Sequence, residues 1–194
     1  MAVHLLSRHA LAAAARRFPG AAVLDLTSRG PEPWVRFSPF YPHGGIPVPF
    51  TPGRTAMSVE GVWQALKVFA REDVDPGKLD ITTMKGIKRS VRRLGACLGH
   101  REGLAGARLL SYREARYRIY LPTYRWVLDH RLGPELAELR RLAAAGDIVL
   151  LDYETNPDPD DLTRPLSHAG LVRHMILGTW PESQDWSDPA ARAR

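Results

Sequence analysis

"MSVEGVWQALKVFAR" (57–71) is the stretch from which the rest of the chain is read. Ser58 is the residue type that caps a helix N-terminus. Behind it Val59, Val62, Leu66 and Phe69 recur with the helical period. Glu60, Gln64, Lys67 and Arg71 form the opposite polar stripe, so the spacing predicts a helix over 59–71. An acid in the first turn, here Glu60, ordinarily complements the helix dipole. Its setting is less ordinary. It follows "FSPFYPHGGIPVPFTP" (37–52), where Pro39, Pro42, Pro47, Pro49, Pro52, Gly44 and Gly45 exclude both a regular helix and a central strand. Long irregular loops inside compact domains are uncommon and often carry function.

Working outward, residues 4–17 read as an amphipathic helix with Leu5, Leu6, Ala10 and Leu11 on one stripe. Arg8, His9, Arg16 and Arg17 interrupt the apolar run that a secretory signal needs. "AAVLDLTS" (21–28) reads as a buried strand, and "WVRFS" (34–38) alternates as a second one. Downstream, 82–94 reads as a helix with Lys85, Lys88, Arg89 and Arg92 on one face. Residues 113–132 read as a helix broken near Pro122. "PELAELRRLAAAG" is a helix with Pro134 in its first turn and Gly146 at its stop. "DIVLLDY" (147–153) is a buried strand, and 167–177 is a last helix between Ser167 and Gly178. The expected class is α+β: a predominantly helical single domain over 1–180 with a few short strands, followed by a polar tail over 181–194.

The 194 residues suffice for a real core. No stretch approaches the roughly 20 apolar residues of a membrane span. One cysteine, Cys97, excludes an internal disulfide, and these features together point to the cytoplasm and away from membranes. The net charge of +6 fits nucleic acid or a phosphorylated small molecule equally.

No metal or cofactor is expected. His43, His100, His130, His168 and His174 are scattered without zinc-type spacing. There is no phosphate-binding Gly-rich loop, no dinucleotide fingerprint and no nucleophile elbow. The acids remain: Glu60 at a helix start, and Asp152 at the end of a buried strand, where sites gather. The ordinary role for Asp152 is to cap a helix or pair with an arginine.

"RFSPFYPHGG" followed by "MSVEGVWQALK" resembles the opening of the NADAR superfamily, whose bacterial members include the YbiA-like proteins. Phe37, Ser38 and Phe40 match its aromatic–Ser–x–aromatic element. Ser58, Glu60, Trp63, Gln64 and Lys67 match its Ser/Thr-x-Glu helix. Fainter likenesses follow in "MKGIKRSVRRLG", in "RIYLPTYRW" with its Arg125–Trp126 pair, and in "IVLLDYETNPD" with Asp152 and Asn156. Gly61 stands where the family has His, and "DPDDLTRPLSH" stands in place of its Trp-Gly. The resemblance implies a YbiA-like fold and metal-independent hydrolysis of an N-glycosidic bond. The substrate would be a phosphorylated riboside or an ADP-ribose-type molecule, with ADP-ribosylated nucleic acid as a further partner. Glu60 and Asp152 would be catalytic. Phe40, Tyr41, Trp63, Gln64, Arg125, Trp126 and Asn156 would hold the substrate, with Lys67, Lys88 and Arg89 at its phosphate. The chemistry is consistent: a fixed carboxylate stabilises an oxocarbenium-like sugar, and aromatics stack the leaving base. Two other readings are a non-catalytic nucleotide or ADP-ribose binding module and a basic nucleic-acid-binding protein.

Overall fold

The computed structural model describes residues 2–182; most of the expected tail, 183–194, lies outside them. In chain order the elements are β1 (Val3–Ser7), a 3-10 turn (Arg8–Ala13), α1 (Ala14–Arg17), β2 (Ala22–Asp25) and a second 3-10 turn (Trp34–Phe37). Then come β3 (Ile46–Pro47), β4 (Thr55–Ala56), α2 (Val59–Leu66), β5 (Lys67–Phe69), a third 3-10 turn (Pro76–Asp80) and α3 (Val91–Leu94). β6 (Cys97–Arg101), β7 (Leu109–Leu110) and α4 (Tyr112–Ala115) follow, and α4 runs through a π-helical turn (Arg116–Tyr120) into α5 (Leu121–Arg131). The chain closes with α6 (Gly133–Ala145), β8 (Ile148–Asp152) and α7 (His168–Leu177). The class is mixed α+β. Among the described residues no helix is long and apolar enough to cross a membrane. The chain gathers into two compact units, one from Met1–Tyr41 with Val127–Trp180 and one from Pro42–Trp126.

The first unit is organised by β8. All five of its residues are buried, so it needs a neighbour on each edge and cover on both faces. β1 and β2 supply the edges, both parallel, with Leu5 opposite Leu150 on one side and Leu24 opposite Leu150 on the other. Leu6, Ala14, Val149 and Leu151 form one apolar cluster, against which Ala10, Phe18, Ala21 and Val23 pack. This demand for edge partners explains why 4–17 is not a helix. Its first residues are drawn into the sheet, and only Ala14–Arg17 is α-helical. The expected strand at 34–38 is a 3-10 turn instead. Val35 N–H bonds Pro31 O at 2.9 Å and Ser38 N–H bonds Val35 O at 3.0 Å. That turn brings Trp34 and Phe37, three apart, into a stack at 6.3 Å.

The second unit is built on α2 and the antiparallel sheet β5-β6-β7. α2 stops at Leu66, not 71, and the chain turns directly into β5. The expected helix at 82–94 is irregular over 81–90, with bends at 83–86 and Gly86 at φ +72°. Ile87 and Arg89 are buried while Gly86, Lys88 and Ser90 are exposed, a period of two. Only Val91–Leu94 is helical, so the single basic helix face does not form. The expected break at Pro122 is also absent. The π turn leaves room for a ring whose missing N–H could not have bonded the Arg118 carbonyl. Just beyond it the Thr123 hydroxyl donates to Ile119 O at 2.6 Å. α4 starts with a full capping box, Glu114 N–H to Ser111 Oγ at 3.2 Å and Ser111 N–H to Glu114 Oε2 at 2.9 Å.

α2 packs so closely on the Pro76–Asp80 turn that Gly61 is required. A Cβ there would lie 2.7 Å from the Lys78 carbonyl oxygen and 3.0 Å from Ser58 Oγ. Gly61→Ala gains about 1 kcal/mol of helix propensity but meets an overpacking cost of roughly 1–3 kcal/mol. The net cost of about 0–2 kcal/mol lowers Tm by up to about 8 °C for a chain of this size. A thermal melt showing a higher Tm would contradict the close approach.

Candidate active site

Glu60 occupies the first turn of α2, whose N-terminus is capped by Ser58 Oγ accepting from Gly61 N–H at 3.0 Å. Its carboxylate is not a surface group, since Glu60 is only 7 % exposed. One turn later Gln64 donates from Nε2 to Glu60 Oε1 at 2.8 Å. The Gln64 Oε1 in turn accepts from the Arg89 backbone N–H at 3.0 Å. The amide orientation is therefore fixed by its two partners, and the carboxylate is held by a short relay.

Arg89, expected at the substrate phosphate, turns inward. Its side chain is fully buried and donates to the carbonyls of Gln64 at 3.2 Å and Asp73 at 2.6 Å, and also to that of Lys67. The guanidinium lies 4.8 Å over the Phe69 ring and 3.5 Å from Glu72. Carbonyls at a helix end need partners. Arg89 supplies them, which is why α2 ends where it does. Lys88, one residue earlier, points the other way. With Lys78, Gly86, Ser90, Arg92 and Arg93 it lines a groove of about 570 Å³. Arg92 and Arg93 make no ion pair with any described residue.

Beside Glu60 on the same helix, Trp63 is half-buried and anchors an aromatic group. The His100 ring lies 3.8 Å from it, Tyr120 meets it edge-on at 5.5 Å, and Tyr112 stands at 6.0 Å. Tyr124 stacks on Tyr120 at 6.1 Å. Lys67 and His100 are direct partners across β5 and β6, and the Lys67 ammonium lies 5.5 Å from the Phe69 ring centroid. His100 is wholly buried, and neither ring nitrogen has a hydrogen-bond partner. Burial, with the Lys67 charge adding to it, pushes the imidazole down to about 3, so it is neutral. Unpaired buried polar groups cost about 1–3 kcal/mol each. Sequence reading missed this residue because the strand that carries it is short and holds Gly99 at its centre.

The other candidates belong to the first unit or to α5. Asp152, at the end of β8, is 4 % exposed and its oxygens are taken by its own chain. Oδ1 accepts from Tyr153 N–H at 2.7 Å. Oδ2 accepts from Ser167 Oγ at 2.8 Å, Ala169 N–H at 3.2 Å and His168 Nδ1 at 3.0 Å. This geometry makes Asp152 a clamp on the start of α7, where the sequence suggested a second catalytic acid. Asn156, expected to hold substrate, likewise brackets a loop. Its Nδ2 donates to Asp161 O at 2.9 Å and Arg164 O at 3.3 Å, and its Oδ1 accepts from Asp158 N–H at 3.0 Å. Phe40 and Tyr41 are half-buried just after the Trp34–Phe37 turn, with the Arg36 guanidinium 5.9 Å from the Tyr41 ring. Arg125 and Trp126 are half-buried on α5. Among the described residues no three His, Cys, Asp or Glu side chains gather as cation ligands.

Both nitrogens of His168 face acceptors, Asp152 Oδ2 and the Leu26 carbonyl at 2.9 Å, so the ring is held as imidazolium. Burial pushes it down, but the charge and hydrogen bond of Asp152, the Leu26 carbonyl and the charge of Asp25 raise it overall. Burial opposes the Asp152 carboxylate too, yet His168, Ser167 and the Ala169 N–H hold it below its ordinary range. The His168 contribution is complete below its unfolded value of 6.5 and is lost as pH rises through the higher folded value. The Asp152 contribution is complete above 3.8 and is lost as pH falls through the lower folded value. Urea unfolding across the pH range is expected to show greatest stability between those limits. His168→Gln should remove the alkaline loss; an unchanged alkaline limb in that variant contradicts the charged pair.

Residues 6–172 match the family of unknown function DUF6939, and the chain belongs to it. No curated protein and no solved structure matches the chain.

Proposed function

We propose that this member of the DUF6939 family is a metal-independent N-glycosidase acting on a phosphorylated riboside or an ADP-ribose-type molecule. The observation that carries the reading is the Glu60 carboxylate, buried at a helix N-terminus, pinned by Gln64, and one helical turn from the Trp63 aromatic group. The likeness of 37–40 and 58–67 to the NADAR superfamily supports it.

In this reading Glu60 faces the anomeric carbon. As the C–N bond breaks, positive charge grows on the ribose and the fixed carboxylate stabilises it. Water adds to the anomeric carbon and Glu60 takes its proton; the base nitrogen takes a proton from solvent as the C–N bond breaks, and Glu60 returns its own to solvent, so one water is consumed. Trp63 and its neighbouring tyrosines hold the base by stacking. Lys67 lies near the sugar, and the groove carrying Lys88 takes the phosphate. Asp152, Asn156 and Arg89 are left out, because their polar atoms serve the fold.

Glu60→Gln keeps an acceptor for Gln64 and removes the charge. It should fold with an unchanged Tm and lose base release by about 10²–10³-fold, followed by chromatography on nucleoside 5′-phosphates and ADP-ribosyl conjugates. Turnover near wild type in that variant sinks the assignment. Lys88→Ala with Arg92→Ala should raise KM for the same substrates by about tenfold and leave kcat in place. A second reading, a binding module without hydrolysis, is favoured by one observation: the space at Gly61 is closed, so the His side chain that the NADAR superfamily has there finds no room. It predicts saturable binding of those compounds with no base released.

A further inference from the structure

His100 is a buried side chain of the second unit with neither of its polar atoms used by the fold. It is the fourth of the five residues of β6, wholly enclosed, where an apolar side chain would fill the space without orphaning two nitrogens. The sheet is distorted around it. The β5–β6 register shifts between Val68 and Phe69, opposite Gly99. Gly99 has φ +145°, and a Cβ there would lie 2.4 Å from Leu110 O. Bulges of this kind re-aim a neighbouring side chain and gather next to active sites.

A neutral imidazole offers one N–H donor and one bare nitrogen acceptor. Either nitrogen can therefore make one hydrogen bond to an edge atom of a planar nitrogen heterocycle, donating to a bare ring nitrogen or carbonyl or accepting from an N–H. The aromatic group around it matches the face of the same ligand. Trp63 lies against the His100 ring, and Tyr120 and Tyr112 flank the indole. Trp63 is half-buried and Tyr112 is 40 % exposed, so the cluster is open on its outer side. The buried His100 lies beneath this cover.

We infer that His100 reads the base: the Trp63 indole is a displaceable cover, and when it swings aside an uncharged planar nitrogen heterocycle enters edge-on to the imidazole, hydrogen-bonds one of its nitrogens, and stacks against the Trp63, Tyr112 and Tyr120 rings. This deepens the proposed function, resting on the reading of the aromatic group as the pocket of the leaving base. The charge at the site fits an uncharged ligand edge. Lys67 faces His100 across the strands and opposes a second positive charge there, so the imidazole stays in the form that both donates and accepts.

The test is equilibrium binding of free bases, which needs no hydrolysis. Adenine, guanine, uracil and nicotinamide are titrated into the full chain and into His100→Phe by calorimetry. At least one base should bind the wild type, and His100→Phe should bind it about tenfold or more weakly with a Tm no lower than wild type. In the wild type the His100 ring ¹⁵N resonances should move on saturation with that base, and this readout decides the matter if His100→Phe fails to fold. Binding of no base, equal affinity in the variant, or unmoved ¹⁵N resonances each overturns the inference. Base binding that depends on His100, without any turnover, upholds it and removes the hydrolase reading alone.

Discussion

The second unit depends on one buried guanidinium. Arg89 ties the last carbonyls of α2, the start of β5 and the loop at Asp73 into one knot, and its own backbone N–H fixes Gln64. Arginine suits this place because its planar fork of donors can meet several carbonyls at once and still stack on Phe69. Gln64 then holds Glu60. The candidate catalytic group is thus positioned by a residue two bonds away in the hydrogen-bond relay, not by its own helix alone. The same knot turns Lys88 and Ser90 outward, so that a single buried arginine both orients the carboxylate and presents the basic groove.

The first unit solves a similar problem with opposite charges. β8 ends in Asp152, a buried carboxylate, and three groups from the start of α7 converge on it. His168 passes the charge on to the Leu26 carbonyl beyond the end of β2. One buried pair therefore joins the end of the central strand, the chain leaving a neighbouring strand and the N-terminus of a helix. A buried ion pair is weak as a source of net stability but strong as a specifier of arrangement, because breaking it strands a charge.

These two knots also mark where the sequence was legible. β8, α6 and α7 announce themselves through an unbroken apolar run, an early proline and paired cap residues, all local signals. The start of α2 and its cap were equally plain. The end of α2 was not, since the carbonyl acceptors at Gln64 and Lys67 belong to an arginine 25 and 22 residues away. The segment 82–94 misled for a related reason. Its cations repeat at helical spacing, but the burial of Ile87 and Arg89 on a non-helical chain decides the conformation. β1 was lost because its helical pattern is overruled by the need of β8 for an edge partner. Glu60, Trp63, Gln64 and Lys67 could be singled out as a local run, whereas Asp152 and Asn156 were singled out by position and turn out to spend their polar atoms on the fold.

The two buried histidines set the limits of such reasoning. His168 and His100 are both enclosed, and neither lies in a sequence motif. His168 has an acceptor at each nitrogen, so its charge is accounted for by Asp152, Leu26 and the structure they join. His100 has a partner at neither, and its surroundings are aromatic rings and a neighbouring lysine. Folding explains the first completely. It gives no reason for the second, because a phenyl ring would pack there without the cost of two unpaired nitrogens. The fold spends the polar atoms of Asp152 and Asn156 on its own backbone and side chains, yet leaves both nitrogens of one imidazole without partners beneath a half-buried tryptophan, and moving that one side chain would bring them to atoms from outside the chain.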